Sequence, residues 1–366
     1  MFMDRYHVLG ITLGHNATAA IMNKGQVLAC ASEERFVRVK NVYGYPEKAV
    51  QYCLKQAGIK SNELDLVVLS SHITPPLHQT NDGLKEESRE DSGNTWFTLL
   101  SKVRERMGGM KNIEIAGYKS MAPMFARMTH KNRVKIISSL LGIPEGKIIS
   151  SEHHLTHAFS AIFSGDFLQD KSDKNVLVIT VDGEGDMLSS SVGIFNPKTL
   201  KYERIAQSNY AESIGHFYSA VTSYLGMKVL EHEYKVMGLA PYSRTEKADE
   251  LYRKLCECIW IDDELQIRTK LHSHHFDKLF EKLFKGIRFD YVAAAAQKLV
   301  ETLLVGLVKK AIAKTTLHDV ALAGGVFMNV KANYDILKLP EVNKLFIMPS
   351  CGDESLPIGS CYYGTL

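Results

Sequence analysis

Cysteine is scarce in this chain of 366 residues. The six present, Cys30, Cys53, Cys256, Cys258, Cys351 and Cys361, include no C-x₂-C pair, which argues against a structural zinc site and against a disulfide framework. A reducing, cytoplasmic setting is therefore expected. An excess of one charge is also lacking: 44 Lys and Arg face 41 Asp and Glu, and a net +3 creates no field that would draw nucleic acid. The first seven residues carry charge where a signal peptide needs an apolar core, so secretion is not expected. The most apolar long stretch, 291–313, is interrupted by Gln297, Lys298, Glu301, Lys309 and Lys310, so an amphipathic helix is expected there and no membrane partner. With 45% hydrophobic and 23% charged residues, intrinsic disorder is excluded as the main character. At roughly 150 residues per domain the length implies two lobes.

Two stretches share one grammar. HVLGITLGHNATAAIMNKGQVLACASEE reads as strand, polar turn, strand, turn at 23–25, strand. NVLVITVDGEGDMLSSSVGIFNPKTLKYERIAQS repeats that order, with a Gly-rich turn at 182–186 and an Asn196-Pro197 turn. This internal duplication, about 170 residues apart, suits twin lobes better than a solenoid. After the first copy, residues 46–58 show Pro at the start, apolar residues at helical spacing and Gly at the end, and a buried-type strand follows at 64–70. In the second half a helix over 291–314 leads to strands at 320–325 and 344–348. The fold class is α/β, with mixed sheets flanked by helices. Residues 1–165 are expected to form the first lobe, with a helical insertion near 80–130, and residues 166–366 the second. The insertion reads equally as a cover for a cleft or as a surface helical hairpin.

Chemistry concentrates in a few loops. The turn Gly14-His15-Asn16-Ala17-Thr18 lies between strands, where backbone amides can face an anion. Asp182-Gly183-Glu184-Gly185-Asp186 stands at the equivalent place; its glycines permit close approach to phosphate and its carboxylates can hold a cation or orient water, although a plain acidic hairpin has the same look. Ala323-Gly324-Gly325-Val326-Phe327-Met328-Asn329 joins a strand to a helix start, suited to a nucleotide or to an ordinary turn. In Glu231-His232-Glu233-Tyr234-Lys235, Lys235 can neutralise a phosphate or merely join a solvated ion pair. The sharpest signal is Ser151-Glu152-His153-His154-Leu155-Thr156-His157. On a helix His153 and His157 share one face and can bind one ion, with Asp353 the candidate third ligand. Two His and one carboxylate leave open positions on Fe(II), Zn or Mn. His154 reads as a partner of that set or as a core histidine.

In this order, LGITLGHNATAAI, SEERFVRVKNVYGYP, HHLTHAFSA, VDGEGD, EYKVMGLAPY, AGGVFMN and CGDES resemble the NodU/CmcH-type O-carbamoyltransferases, and the resemblance covers nearly the whole chain. The amino-terminal half of that family is an actin-like ATPase (ASKHA) fold related to the tRNA threonylcarbamoyl transferases. The resemblance implies two duplicated lobes around a central cleft. It also implies that carbamoyl phosphate and ATP are converted to carbamoyl-adenylate, from which carbamoyl passes to a hydroxyl of a small molecule such as a sugar or antibiotic. His153, His157 and Asp353 match the family's divalent-metal ligands, and His15 matches a position near the reacting group, where a general base would act. The loops of Gly183 and Gly185, and of Gly324, Gly325 and Asn329, match the nucleotide cradle, to which Gly14, Asn16 and Lys235 are added from their own chemistry.

Three departures stand out. Asn16 occupies a place where the family often has Asp. Glu354-Ser355-Leu356-Pro357 replaces a small, Gly-containing sequence, and Pro357 is expected to bear on the helix that follows. Family members continue into a YrdC-like domain that makes the adenylate, whereas this sequence stops at Leu366, so a separate YrdC-like partner is one expectation. A homodimer is a further implication of the family. The alternative readings are a tRNA threonylcarbamoyl transferase, and a nucleotide-binding scaffold or ATPase of the actin-like fold.

Overall fold

A run of apolar residues buried along its length makes β1 (His7–Thr12), and the chain doubles back as β2 (Thr18–Asn23) and β3 (Gln26–Ser32). The β2–β3 turn holds Lys24 at φ 47° and Gly25 at φ 81°, the left-handed pair that matches strand twist in a two-residue hairpin. The structure, a computed structural model, describes residues 7–73, 77–80, 83–86, 111–168, 174–243 and 245–366.

After the short helix α1 (Glu34–Val37), α2 (Glu47–Ala57) starts behind Pro46 and stops at Gly58, whose φ of 69° ends the helix as the sequence pattern implies. The α2 amino terminus is held from a distance by buried Glu33. Its carboxylate accepts from the Ala49 amide at 2.8 Å and the Lys48 amide at 3.3 Å, placing negative charge on the positive end of the helix. Strand β4 (Leu66–Leu69) runs parallel to β1. A small hairpin, β5 (Leu77–Thr80) with β6 (Gly83–Glu86), and the helix α3 (Lys111–Leu141) come before β7 (Ile148–Ser150), parallel to β4, and α4 (His153–Ser164). The insertion expected near 80–130 thus begins as a hairpin, and its helix continues to Leu141; residues 87–110 lie outside the described residues.

The first sheet has the order β3-β2-β1-β4-β7. One face, with Leu9, Ile11, Ile21, Val67 and Leu69, packs on Ala49, Val50 and Cys53 of α2 and Val134, Ile137 and Leu141 of α3. Each such aliphatic side chain contributes about 1.5–3 kcal/mol on burial. Fully buried Arg133 joins α3 to the segment after β4: its guanidinium donates to the carbonyls of Ser71 at 3.0 Å, His72 at 2.6 Å and Thr129 at 3.2 Å.

The second unit repeats the plan with β8 (Val176–Gly185), β9 (Leu188–Asn196) and β10 (Lys201–Asn209). Helices α5 (Ile214–Tyr224), α6 (Glu233–Leu239) and α7 (Glu246–Cys256) follow. The hairpin β11 (Ile259–Ile261) with β12 (Ile267–Thr269), α8 (Phe276–Leu283) and α9 (Phe289–Thr315) come next, then β13 (Asp319–Ala323), α10 (Val330–Leu337) and β14 (Lys344–Ile347). The order β10-β9-β8-β13-β14 copies the first sheet position for position, antiparallel on one side of the central strand and parallel on the other. Helix α9 is long and apolar enough by composition to cross a bilayer, but Leu299, Val300, Leu303, Leu304, Leu307 and Val308 are buried and it packs on α5, α6, α7 and α10.

Two expectations about layout are corrected. The β8–β9 turn is not at 182–186 but at Asp186 and Met187, with φ of 49° and 71°. The preceding glycine-rich residues stay in β8, where a Cβ on Gly215 of α5 would stand 2.7 Å from the Gly183 nitrogen, so small residues let helix and strand meet. The second correction concerns the end of the chain. Residues expected in a second lobe over 166–366 divide: one compact unit is Met1–Ser164 with Met348–Leu366, the other Gly165–Ile347. Helix α11 (Leu356–Thr365) lies on β1, β2, β4 and α4. A Cβ on Gly10 would collide with the Pro357 carbonyl and one on Gly359 with the Thr156 carbonyl, so glycine at both places permits this crossing. Pro357 sits in the first turn of α11, where its missing N–H costs nothing.

Candidate metal centre and glycine loops

Helix α4 places the histidines. Glu152, just ahead of it, accepts from the amides of His154 at 3.1 Å and Leu155 at 2.7 Å, capping the first turn. His153 and His157 then lie one turn apart, with ring centroids 4.8 Å from each other. The turn Ser350-Cys351-Gly352-Asp353 delivers the carboxylate. Asp353 Oδ1 is 3.6 Å from His153 Nε2 and 3.5 Å from His157 Nε2, and the three residues are 7%, 4% and 0% exposed. Their ligand atoms all fall within 4.8 Å of one another. The three residues singled out in the sequence are therefore brought together inside the first unit. His154 is wholly buried.

His15 joins this group from the β1–β2 loop, its Nε2 3.4 Å from the other Asp353 oxygen, Oδ2, with a third of the side chain exposed. Next to it Asn16 adopts φ 59° and donates to Glu354 Oε2 at 3.5 Å. Gly14 faces open space: a Cβ there would meet nothing within 4 Å. One carboxylate thus has three imidazole nitrogens within 3.6 Å of its oxygens.

In the second unit, Gly324 has φ 100°, and a Cβ on it would collide with the Val181 carbonyl; one on Gly325 would stand 2.9 Å from Asp182 Oδ1. The β13–α10 loop is therefore seated on the end of β8, beside Gly183, whose amide donates to Asp182 Oδ1 at 2.7 Å. Gly185 closes β8 opposite Leu188. Lys235 is exposed on α6, its Nζ 5.9 Å from the Tyr234 ring. Asn329 belongs to a different arrangement. Its Oδ1 accepts from the Ala332 amide at 3.2 Å and from Gln297 Nε2 at 2.9 Å, while its Nδ2 donates to Gln297 Oε1 at 3.0 Å. Tyr218 also donates to Gln297, at 2.6 Å. The Asn329 side chain caps α10 and pairs with α9, and its polar groups are used within the protein.

Sequence reading missed Arg133, the Gln297–Asn329 amide pair, and His216 and His274, which join Glu184 of the acidic segment in a second group of possible ligands. The three members of that group are spread over ninety residues and share no spacing.

A doubled α/β chain with a buried two-histidine, one-carboxylate group defines the class. The signature of the carbamoyltransferase N-terminus family matches residues 7–362, and the chain belongs to that family. It is 28% identical over 97% of its length to the uncharacterized protein sll1178 of Synechocystis, and 24% identical over 95% of its length to the nodulation protein NolNO of Sinorhizobium fredii. These alignments span 56% and 46% of the relatives, so the chain covers about half the length of the curated relatives it matches. Among solved structures it is similar to component A of the Acidaminococcus fermentans (R)-2-hydroxyglutaryl-CoA dehydratase, at 13% identity, covering 98% of this chain and 97% of that one, with a TM-score of 0.49. It is also similar to full-length HypF in the phosphate- and nucleotide-bound form, at 11% identity, covering 100% and 56%, with a TM-score of 0.47.

Proposed function

We propose that the chain carries the transfer chemistry of an O-carbamoyltransferase, taking carbamoyl from carbamoyl-adenylate, itself formed from carbamoyl phosphate and ATP, to a hydroxyl of a small molecule. The observation that carries this reading is the convergence of His153, His157 and Asp353 on one point in a member of this family. Two imidazole nitrogens and one carboxylate oxygen, nearly sealed from water, form a donor set that fits Fe(II), Zn or Mn. An ion held there would supply Lewis acidity toward a phosphate or carbamoyl oxygen.

The remaining steps belong to side chains. His15, a third exposed and with Nε2 3.4 Å from Asp353 Oδ2, is assigned to take the acceptor proton. The acceptor oxygen forms a bond to the carbamoyl carbon, the bond from that carbon to the adenylate phosphate oxygen breaks, AMP leaves with the electron pair, and the acceptor proton passes to His15. Gly14 and Asn16, and in the second unit Gly183, Gly185, Gly324, Gly325 and Lys235, are assigned to the nucleotide; open space at Gly14 and the exposed Lys235 support this.

The test is turnover of prepared carbamoyl-adenylate by the purified chain, loaded in turn with each of the three ions and offered a panel of hydroxylated sugars. The reading expects AMP and an O-carbamoyl product in equal amounts, and His15→Ala should reduce turnover by at least 100-fold while leaving adenylate affinity within 3-fold. A product formed only on tRNA, or ADP released from ATP with no carbamoyl transfer, would overturn it.

A further inference from the structure

We propose that Glu184, His216 and His274 form a second divalent-cation site, built wholly within the second unit and suited to a borderline ion such as Zn(II). Their ligand atoms lie within 4.8 Å of one another, with His274 Nε2 3.6 Å from Glu184 Oε2 and the two imidazole centroids 4.8 Å apart. Donors bound at about 2.1 Å to one tetrahedral ion stand about 3.4 Å from each other, so only small side-chain adjustments close this group on a cation.

The surroundings hold the donors in place. Ser213 Oγ accepts from the His216 amide at 3.0 Å and donates to the carbonyls of Gly183 at 2.7 Å and Asp182 at 3.2 Å, which locks the first turn of α5 to the strand that carries Glu184. Ser273 sets the His216 tautomer. Its hydroxyl donates to the Tyr210 carbonyl at 3.0 Å, so at 3.2 Å it accepts from His216 Nδ1–H. Outer hydrogen bonds of this kind orient metal-binding imidazoles. His274 is braced by the His272 ring, stacked at 5.1 Å and 25°. Its side chain is 22% exposed and that of Glu184 27%, so solvent reaches the group. A cavity of about 350 Å³, lined by His216 and His274 together with Ser219, Ser223, Phe276 and Glu281, adjoins it. Two imidazoles and one carboxylate leave positions open on the ion for water or an oxygen ligand in that cavity.

Zn(II) titration of the whole chain, after stripping with chelator, tests the site by counting bound equivalents. The proposal expects two equivalents for the unaltered protein, one for the His216→Ala/His274→Ala double variant and one for the His153→Ala/His157→Ala double variant. Glu184→Gln, which keeps the side-chain volume, should weaken the second equivalent at least 10-fold and serves if the double variant fails to fold by circular dichroism. Two equivalents retained by the folded His216→Ala/His274→Ala chain, unchanged affinity in Glu184→Gln, or no ion bound by the folded His153→Ala/His157→Ala chain would each overturn it. The count is independent of carbamoyl transfer, so it stands or falls separately from the proposed activity.

Discussion

The two units share one strand order yet treat their polar groups in opposite ways. The first buries His153, His157 and Asp353 almost completely, whereas the second leaves Glu184, His216 and His274 partly open and presents glycine-rich loops instead. Burying a carboxylate among imidazoles is costly unless the charge is compensated, so the first unit carries the stronger implication of a resident ion. Both units use glycine to bring a helix onto the central strand, Gly10 under α11 and Gly215 against Gly183. The duplicated frame is the constant feature, and the chemistry differs by what each copy places at the strand ends.

The largest effect should come from breaking the phenylalanine cluster of the second unit. Phe280 stacks on Phe284 at 4.4 Å and meets Phe217 at 5.7 Å, and Phe280→Ala should cost about 3–5 kcal/mol in denaturant unfolding. A loss below 1 kcal/mol, about a fivefold change in equilibrium constant, would show that this stack is dispensable. Next, Gly10→Ala forces a methyl into the Pro357 carbonyl and should destabilise by about 1–3 kcal/mol, while Gly14→Ala, in open space, should stay within about 0.5 kcal/mol. Equal effects at the two glycines would remove the argument for α11 packing on β1.

Asn329→Ala sharpens the assignment of the second unit's loops. Losing the α10 cap and the Gln297 pair should reduce stability by about 1–3 kcal/mol. Unchanged stability with weakened nucleotide binding would return Asn329 to the ligand. The smallest expected effect is one of labelling rate. Burial pushes the Cys53 thiol up to about 12 and holds Cys361 well above the usual thiol range, so at pH 8 both remain protonated and should react with a disulfide reagent more slowly than half-buried Cys256. Labelling of Cys53 at the rate of Cys256 would contradict the packing of α2 on the first sheet.

Much of this frame is legible in the sequence because its signals are local. The hairpin at Lys24-Gly25, the Pro46 and Gly58 limits of α2, and the repeat of three antiparallel strands each lie within a short window. His153 and His157 are equally local, and Asp353 is conspicuous in its glycine-flanked turn. What escapes is long-range. Nothing near residue 350 signals that Met348–Leu366 joins the first unit, because the signal is the fit of Pro357 and Gly359 against residues 200 to 350 positions away. Arg133 carries no local signal, because its carbonyl partners at Ser71 and His72 lie some sixty residues away in the chain. Glu184, His216 and His274 have no common period: the packing of α5 on β8 brings the first two together, and the contact of Ser273 with His216 brings in the third.

The most direct test of the central claim is the affinity of prepared carbamoyl-adenylate for the ion-loaded chain and for the His153→Ala/His157→Ala variant, measured by calorimetry at equal ion concentration. The account predicts binding to the unaltered chain and a loss of at least 10-fold in the variant, with its fold retained by circular dichroism. Equal affinity in the two would contradict the assignment of His153, His157 and Asp353 as the centre at which the carbamoyl donor is held.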